Sequence, residues 1–201
     1  MPDRRTQILE AAARLIARHG VRGLRVEEVS AEAGVSTALI YYHFKDRAGL
    51  LRRTLEFINQ RAVRYTDAAL DPSDDPCTQL TEMLLLELQD TPRVRENSAA
   101  WGEFRATAIF DPDLREQLAT STGEWVEDLA DLVRRAQAAG LAGPEIAPSA
   151  AAERLTALVE GLSERWLSGT TPLRRAHELL RDAIAMELRR PASRETEPHR
   201  D

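Results

Sequence analysis

Residues 26–44 read VEEVSAEAGVSTALIYYHF, and this stretch decides the fold. Apolar and small residues recur at helical spacing on both sides of Ala33-Gly34-Val35-Ser36, the pattern of two short helices joined by a sharp turn. Gly34 supplies the backbone freedom that such a turn needs, and Ser36 is a good N-cap for the second helix. Ser30 is small, as a close crossing of two helices requires. Val29, Val35, Ile40 and Phe44 can form an inward face, with Ile40 and Phe44 one turn apart. Thr37, Ala38, Tyr41 and Tyr42 then lie on the outward face of the second helix.

Working outward, the helical period continues. Ile8, Ala12, Leu15 and Ile16 predict a first helix over about 3–19, stopped by His19-Gly20 with Gly20 as a left-handed cap. Asp46 caps a fourth helix over about 47–70, with Leu50, Leu51, Leu55 and Ile58 inside it. The run DPSDDP at 71–76 cannot sit in a helix. Further helices are expected at about 77–90, 93–109 and 112–139, the last opened by Asp111-Pro112. Two strongly amphipathic helices follow, at about 149–168 and 172–190. No stretch alternates as a strand would. The expected fold is all-α with about nine helices: a head over 1–48, a body over 49–190, and a tail over 191–201. The tail PASRETEPHRD has no apolar anchor and is expected to be disordered.

The chain has 201 residues, 43% hydrophobic and 30% charged, enough apolar surface for a sizeable core. Its formal charge is -6, which excludes a histone-like basic coat. The charge is unevenly placed. Residues 1–60 carry 10 basic and 7 acidic side chains, whereas the remainder carries 17 and 26. A basic head on an acidic body points to different partners for the two parts. Cys77 is the single cysteine, so no intramolecular disulfide forms, which suits a reducing cytosol; it reads as a passive residue near a helix start. No secretory h-region or membrane-length apolar run is seen, so a cytoplasmic protein without a membrane partner is expected. Lys45 is the only lysine, and an arginine preference that covers the whole chain cannot mark a site.

A helix-turn-helix places its second helix in the major groove, where small residues near its start let the backbone approach base edges. Tyr41, Tyr42, His43, Lys45 and Arg47 cluster where phosphates would lie. Two consecutive exposed tyrosines beside His and Lys are hard to explain in a plain helical hairpin. Enzyme chemistry has little to stand on. The histidines are His19, His43, His177 and His199, with no catalytic or zinc-binding motif around them and no glycine-rich phosphate loop. No cofactor or metal is expected.

ILEAAARLIARHG (8–20) and VEEVSAEAGVSTALIYYHFKDRAGLL (26–51) together resemble the head of the tetracycline-repressor (TetR) family. The resemblance implies a homodimeric, all-helical, one-component regulator with a DNA-binding head and a ligand-sensing body. By position, Thr37, Ala38 and Tyr41 would meet bases or sugars, and Ser36, Tyr42, His43, Lys45 and Arg47 would meet phosphates. Where the family usually has Thr at the start of its second helix, this chain has Arg25-Val26; Arg25 could replace the phosphate contact but not the cap. WGEFRATAIFDPDLREQL (101–118), Trp125 and ALVEGLSERW (157–166) are similar to the choline-responsive BetI-type subgroup.

In the body, Trp101, Glu103, Phe104 and Trp125 are the expected pocket wall, with Phe110, Trp166 and Glu160 as further candidates. An aromatic and acidic pocket favours a cation, so a small hydrophobic or cationic effector is expected. Aromatic residues at helical spacing are also ordinary core fillers. Leu155, Leu158, Leu162, Trp166, Leu180 and Ile184 are the expected dimer interface, because the last two helices present more apolar surface than one pair can hide. The resulting expectation is a repressor released from an inverted-repeat operator by its ligand. The alternative is a helical interaction protein, or an activator without small-molecule sensing. In the release scheme the fourth helix is the lever, and DPSDDP is either its hinge or a plain connector.

Overall fold

The computed structural model describes residues 3–67 and 71–189. Among these it is all-α, with nine helices and no strand: α1 (Arg4–Gly23), α2 (Val26–Ala33), α3 (Thr37–Phe44), α4 (Arg47–Asp67), α5 (Pro76–Leu86), α6 (Pro92–Ala108), α7 (Pro112–Ala138), α8 (Pro148–Leu167) and α9 (Leu173–Glu187). The expected tail at 191–201 and the predicted end of the fourth helix at 68–70 lie outside the described residues.

Local chemistry sets the boundaries. Asp3, Ser36, Asp75, Thr91 and Asp111 each accept a backbone N–H from the first turn of the helix they precede. Proline opens α5, α6, α7 and α8, where its missing N–H costs nothing. The first helix does not stop at His19-Gly20. Gly20 (φ 75°, ψ 165°) kinks it, and one more turn follows to Gly23. This positive φ lies outside the left-handed helical basin, so Gly20 is a hinge point within α1 rather than its cap.

Two hydrophobic cores result. The first joins α1–α4 to α6 and the start of α7: Ile8, Ile16, Val29, Ile40, Phe44, Leu50, Leu55 and Ile58 share it with Ala100, Phe104, Ala108 and Leu114. It runs across the expected boundary at residue 48. The second core fills the space between α5, α7, α8 and α9, with Leu80, Leu84, Leu129, Val133, Leu155, Val159, Leu162, Trp166, Leu180 and Ile184.

This second core corrects the expected interface. Leu155, Leu162, Trp166, Leu180 and Ile184 are each at most 8% exposed within one protomer. The stripes of α8 and α9 are hidden by α5 and α7 as well as by each other, so they are not free for a second copy. Leu158 is only partly buried and packs on the edge of this core.

Candidate functional site

The turn between α2 and α3 is built as the sequence reading requires. Gly34 is left-handed (φ 63°, ψ 40°). Ser30 Oγ donates to the Val35 carbonyl at 2.8 Å, and the Val35 N–H donates to the Ser30 carbonyl at 3.0 Å. Glu32 locks α2 to α1 by accepting from Arg14 at 2.9 Å and Arg18 at 3.0 Å. Hydrogen bonds from Arg14 first, then Arg18, hold its carboxyl below the usual glutamate range.

On α3, Ile40 and Phe44 are buried, whereas Ala38, Tyr41 and Tyr42 are exposed and Thr37 is half-buried. Tyr42 is 80% exposed, a large aromatic with no packing role in the protomer. The His43 ring meets it edge-on at 5.3 Å between centroids. Ser36 Oγ is committed to capping Leu39 N–H at 3.2 Å, which leaves a second lone pair and its own proton available. Lys45 follows with φ 66°, an unusual conformation for a side chain of its size. The strain turns the chain sharply between α3 and α4. Gly49 permits that turn, since a Cβ there would lie 2.1 Å from the Phe44 carbonyl oxygen. Arg25 is exposed as the N-cap of α2 and makes no side-chain cap bond; Glu27 and Glu28 in the first turn complement the helix dipole instead.

Arg47 departs from expectation. Its guanidinium donates to the Leu24 carbonyl at 3.1 Å and the Val21 carbonyl at 2.5 Å. These bonds tie α4 to the end of α1 and draw the charge toward the protein, so Arg47 is a brace for the head before it is a phosphate contact.

In the body, a cavity of about 340 Å³ lies among α4–α8. Trp101, Trp125 and Glu160 line it. Four carboxylates (Glu87, Glu124, Asp128 and Glu160) face it against one guanidinium, that of Arg105. A lining with a negative excess favours a cation, and aromatic rings in it can add a quadrupole attraction.

Glu103 and Phe104 are not in this wall. Successive residues on a helix point about 100° apart, so α6 sends its side chains three ways. Phe104 is fully buried in the first core with Ala100 and Ala108. Glu103 reaches the head, where its Oε2 accepts the Val21 N–H at 3.2 Å. The kink at Gly20 frees that N–H, and Gly20 leaves the room: a Cβ there would sit 2.6 Å from the same oxygen. Val21 is therefore held by the body through its N–H and by Arg47 of α4 through its carbonyl. Phe110 is 71% exposed with Arg22 over its ring at 5.3 Å, and Trp166 packs in the second core beneath Arg95. The sequence pattern offered no sign of Arg105 as a pocket residue, because arginine is everywhere in this chain.

The loop DPSDDP is not slack where it is described. The Gln79 side-chain amide donates to the carbonyls of Asp71, Pro72 and Asp74 at 3.4, 3.3 and 2.7 Å, folding 71–75 onto the start of α5 as a connector. His177 is held to the Leu88 carbonyl at 2.6 Å, far from His43 in the head. Among the described residues no group of His, Cys, Asp and Glu converges as metal ligands, and no helix is long and apolar enough to cross a membrane.

A helix-turn-helix head on a helical body is the arrangement of a DNA-binding transcriptional regulator. Residues 8–54 match the profile of bacterial regulatory proteins of the tetR family, and residues 76–189 match that of the BetI-type transcriptional repressor C-terminal domain. The chain belongs to the TetR family and is a DNA-binding transcriptional regulator. It is 28% identical over 190 residues to the HTH-type transcriptional regulator BetI of Agrobacterium fabrum, covering 94% of this chain and 89% of that one. The crystal structure of a protein assigned to the TetR-family regulators from Rhodococcus sp. superposes with a TM-score of 0.88 at 46% identity, over 94% of this chain and 100% of that one. A regulator from Saccharomonospora viridis, solved in complex with choline, superposes with a TM-score of 0.80 at 27% identity, over 90% and 94% of the two chains.

Proposed function

We propose that this regulator is a repressor that binds an inverted-repeat operator as a homodimer and lets go when a small organic cation enters the body cavity. The observation that carries the reading is the cavity itself. Trp101 and Trp125 face it with four carboxylates, and α6, which supplies Trp101, also holds the head through Glu103. The choline held by the Saccharomonospora relative is a cation of the same chemistry. In this reading Thr37, Ala38 and Tyr41 read bases, and Ser36, Tyr42, His43, Lys45 and Arg25 meet phosphates. Residues 1–48 carry DNA recognition and 49–190 carry sensing and dimerisation, joined by a shared core rather than a linker.

Release follows from the joints described above. A ligand among α4–α8 moves α6, Glu103 moves with it, and Val21 passes the shift to Arg47 and the start of α4. A coupling of roughly 1–3 kcal/mol suffices to weaken operator binding several-fold or more. The test is a duplex selected by the protein from a random pool, followed by fluorescence anisotropy with added choline. Selection of an inverted repeat and loss of anisotropy on adding the cation are expected. A selected site without two-fold symmetry overturns the dimeric reading. Complexes that survive saturating quaternary ammonium compounds overturn the cation reading.

A further inference from the structure

The cavity already contains a cation of its own. The Arg105 guanidinium lies over the Trp101 ring at 5.3 Å and donates from Nη2 to Glu160 Oε1 at 2.6 Å. All three residues line the cavity. The pair is about a quarter exposed on each side, 26% for Arg105 and 24% for Glu160. An aromatic face and a carboxylate at contact distance are the two elements of an organic-cation subsite, and here one arginine engages both.

We propose that Arg105 is a resident cation that competes with the effector for Trp101 and Glu160. The inference rests on the cationic-effector reading and deepens it. Arg105 offsets part of the negative excess of the walls and so lessens the repulsion among them. It also ties α6 to α8, because Arg105 and Glu160 belong to those two helices. An entering cation takes the ring and the carboxylate, and Arg105 swings away. The α6–α8 tie then passes through the ligand, two residues from the Glu103 contact with the head. Specificity follows as well: a neutral molecule of the same shape gains nothing from displacing Arg105 and leaves Glu160 without its partner.

The experiment is a tryptophan-fluorescence titration of the full chain with choline and with 3,3-dimethyl-1-butanol, its uncharged isostere. Wild type is compared with Arg105→Gln, Arg105→Met and Arg105→Lys. Removing the resident charge should tighten choline binding roughly tenfold, the gain when a competitor that holds a site about nine-tenths of the time is deleted. The neutral isostere should change little, and Arg105→Lys should stay near wild type. Arg105→Met keeps an unbranched stem in the space, so it carries the same prediction if the glutamine variant does not fold. Equal gains for choline and isostere mean that Arg105 only fills room, and overturn the inference. Unchanged or weaker choline binding in both neutral variants overturns it too, while the cationic-effector reading stands. Choline binding to none of the proteins overturns that reading and the inference with it.

Discussion

At the scale of single residues, the proposed DNA-reading face of α3 is expected to make two kinds of contact. Tyr42 and Lys45 stand at its end, both exposed. Phosphate contacts add affinity without reading sequence, so Tyr42→Ala and Lys45→Ala should weaken binding to all duplexes alike. Lys45→Ala should lower the salt slope by about one. Thr37 and Tyr41 substitutions should change which operator is preferred. Anisotropy titrations at several salt concentrations check this; full operator affinity for Tyr42→Ala at roughly 0.15 M salt would place the recognition surface elsewhere. Glu32 gives a second residue-level prediction. Its folded pKa is depressed by Arg14 and Arg18, so its stabilising effect is complete above the ordinary glutamate range and lost as pH falls through the lower folded value. Glu32→Gln should cost up to about 1 kcal/mol at neutral pH, as partly exposed pairs do. The gap from wild type should narrow as pH falls below the ordinary glutamate range, and chemical unfolding at neutral pH and at a series of lower pH values measures it.

At the scale of helices, α6 acts as a joint because its faces serve different parts of the molecule. Trp101 and Arg105 face the cavity, Phe104 sits in the first core, and Glu103 holds Val21. Glu103→Ala should therefore leave choline affinity unchanged and reduce how far choline weakens operator binding. Titrating choline on the free protein and on the complex separates the two; an unchanged ratio shows that the signal travels by another route. The same helix shows what a sequence can and cannot tell. Caps, prolines and period placed nearly every helix within a few residues, because those signals act locally. Which way each side chain of α6 points depends on the helix's rotation about its axis, and its packing against α1, α4, α7 and α8 sets that. Residue type alone groups Glu103 and Phe104 with Trp101 as pocket residues, although adjacent positions diverge by about 100°. The role of Arg47 is hidden for a similar reason: its acceptors, the carbonyls of Val21 and Leu24 at the end of α1, come within its reach only through the packing of α4 on α1.

At the scale of the whole molecule, the question is which surface meets the second copy. Hydrophobic period shows that a helix face is buried, not what buries it, and the stripes of α8 and α9 are consumed by the protomer's own core. What remains outside is a narrower apolar strip. Leu179 and Ala183 are half-buried and Met186 is 70% exposed, at i, i+4 and i+7 along α9. Leu158 and Gly161 lie one turn apart on α8, and a Cβ at Gly161 would meet nothing within 4 Å. A helix-interior glycine with open space beside it has no packing reason within the protomer, yet it would let a partner helix approach closely. Two copies joined by these faces form a four-helix contact, α8 and α9 against their mates. The two kinds of position should then respond differently to charge. Leu179→Asp or Met186→Asp should yield a folded monomer with a normal helical circular-dichroism spectrum and weak operator binding. Leu180→Asp should unfold the protomer, because an unpaired charge in its core costs several kcal/mol. Light scattering and thermal melts of the three variants decide it. A dimer that survives both outer substitutions would move the interface off α9, and a monomeric wild type at micromolar concentration would remove it altogether.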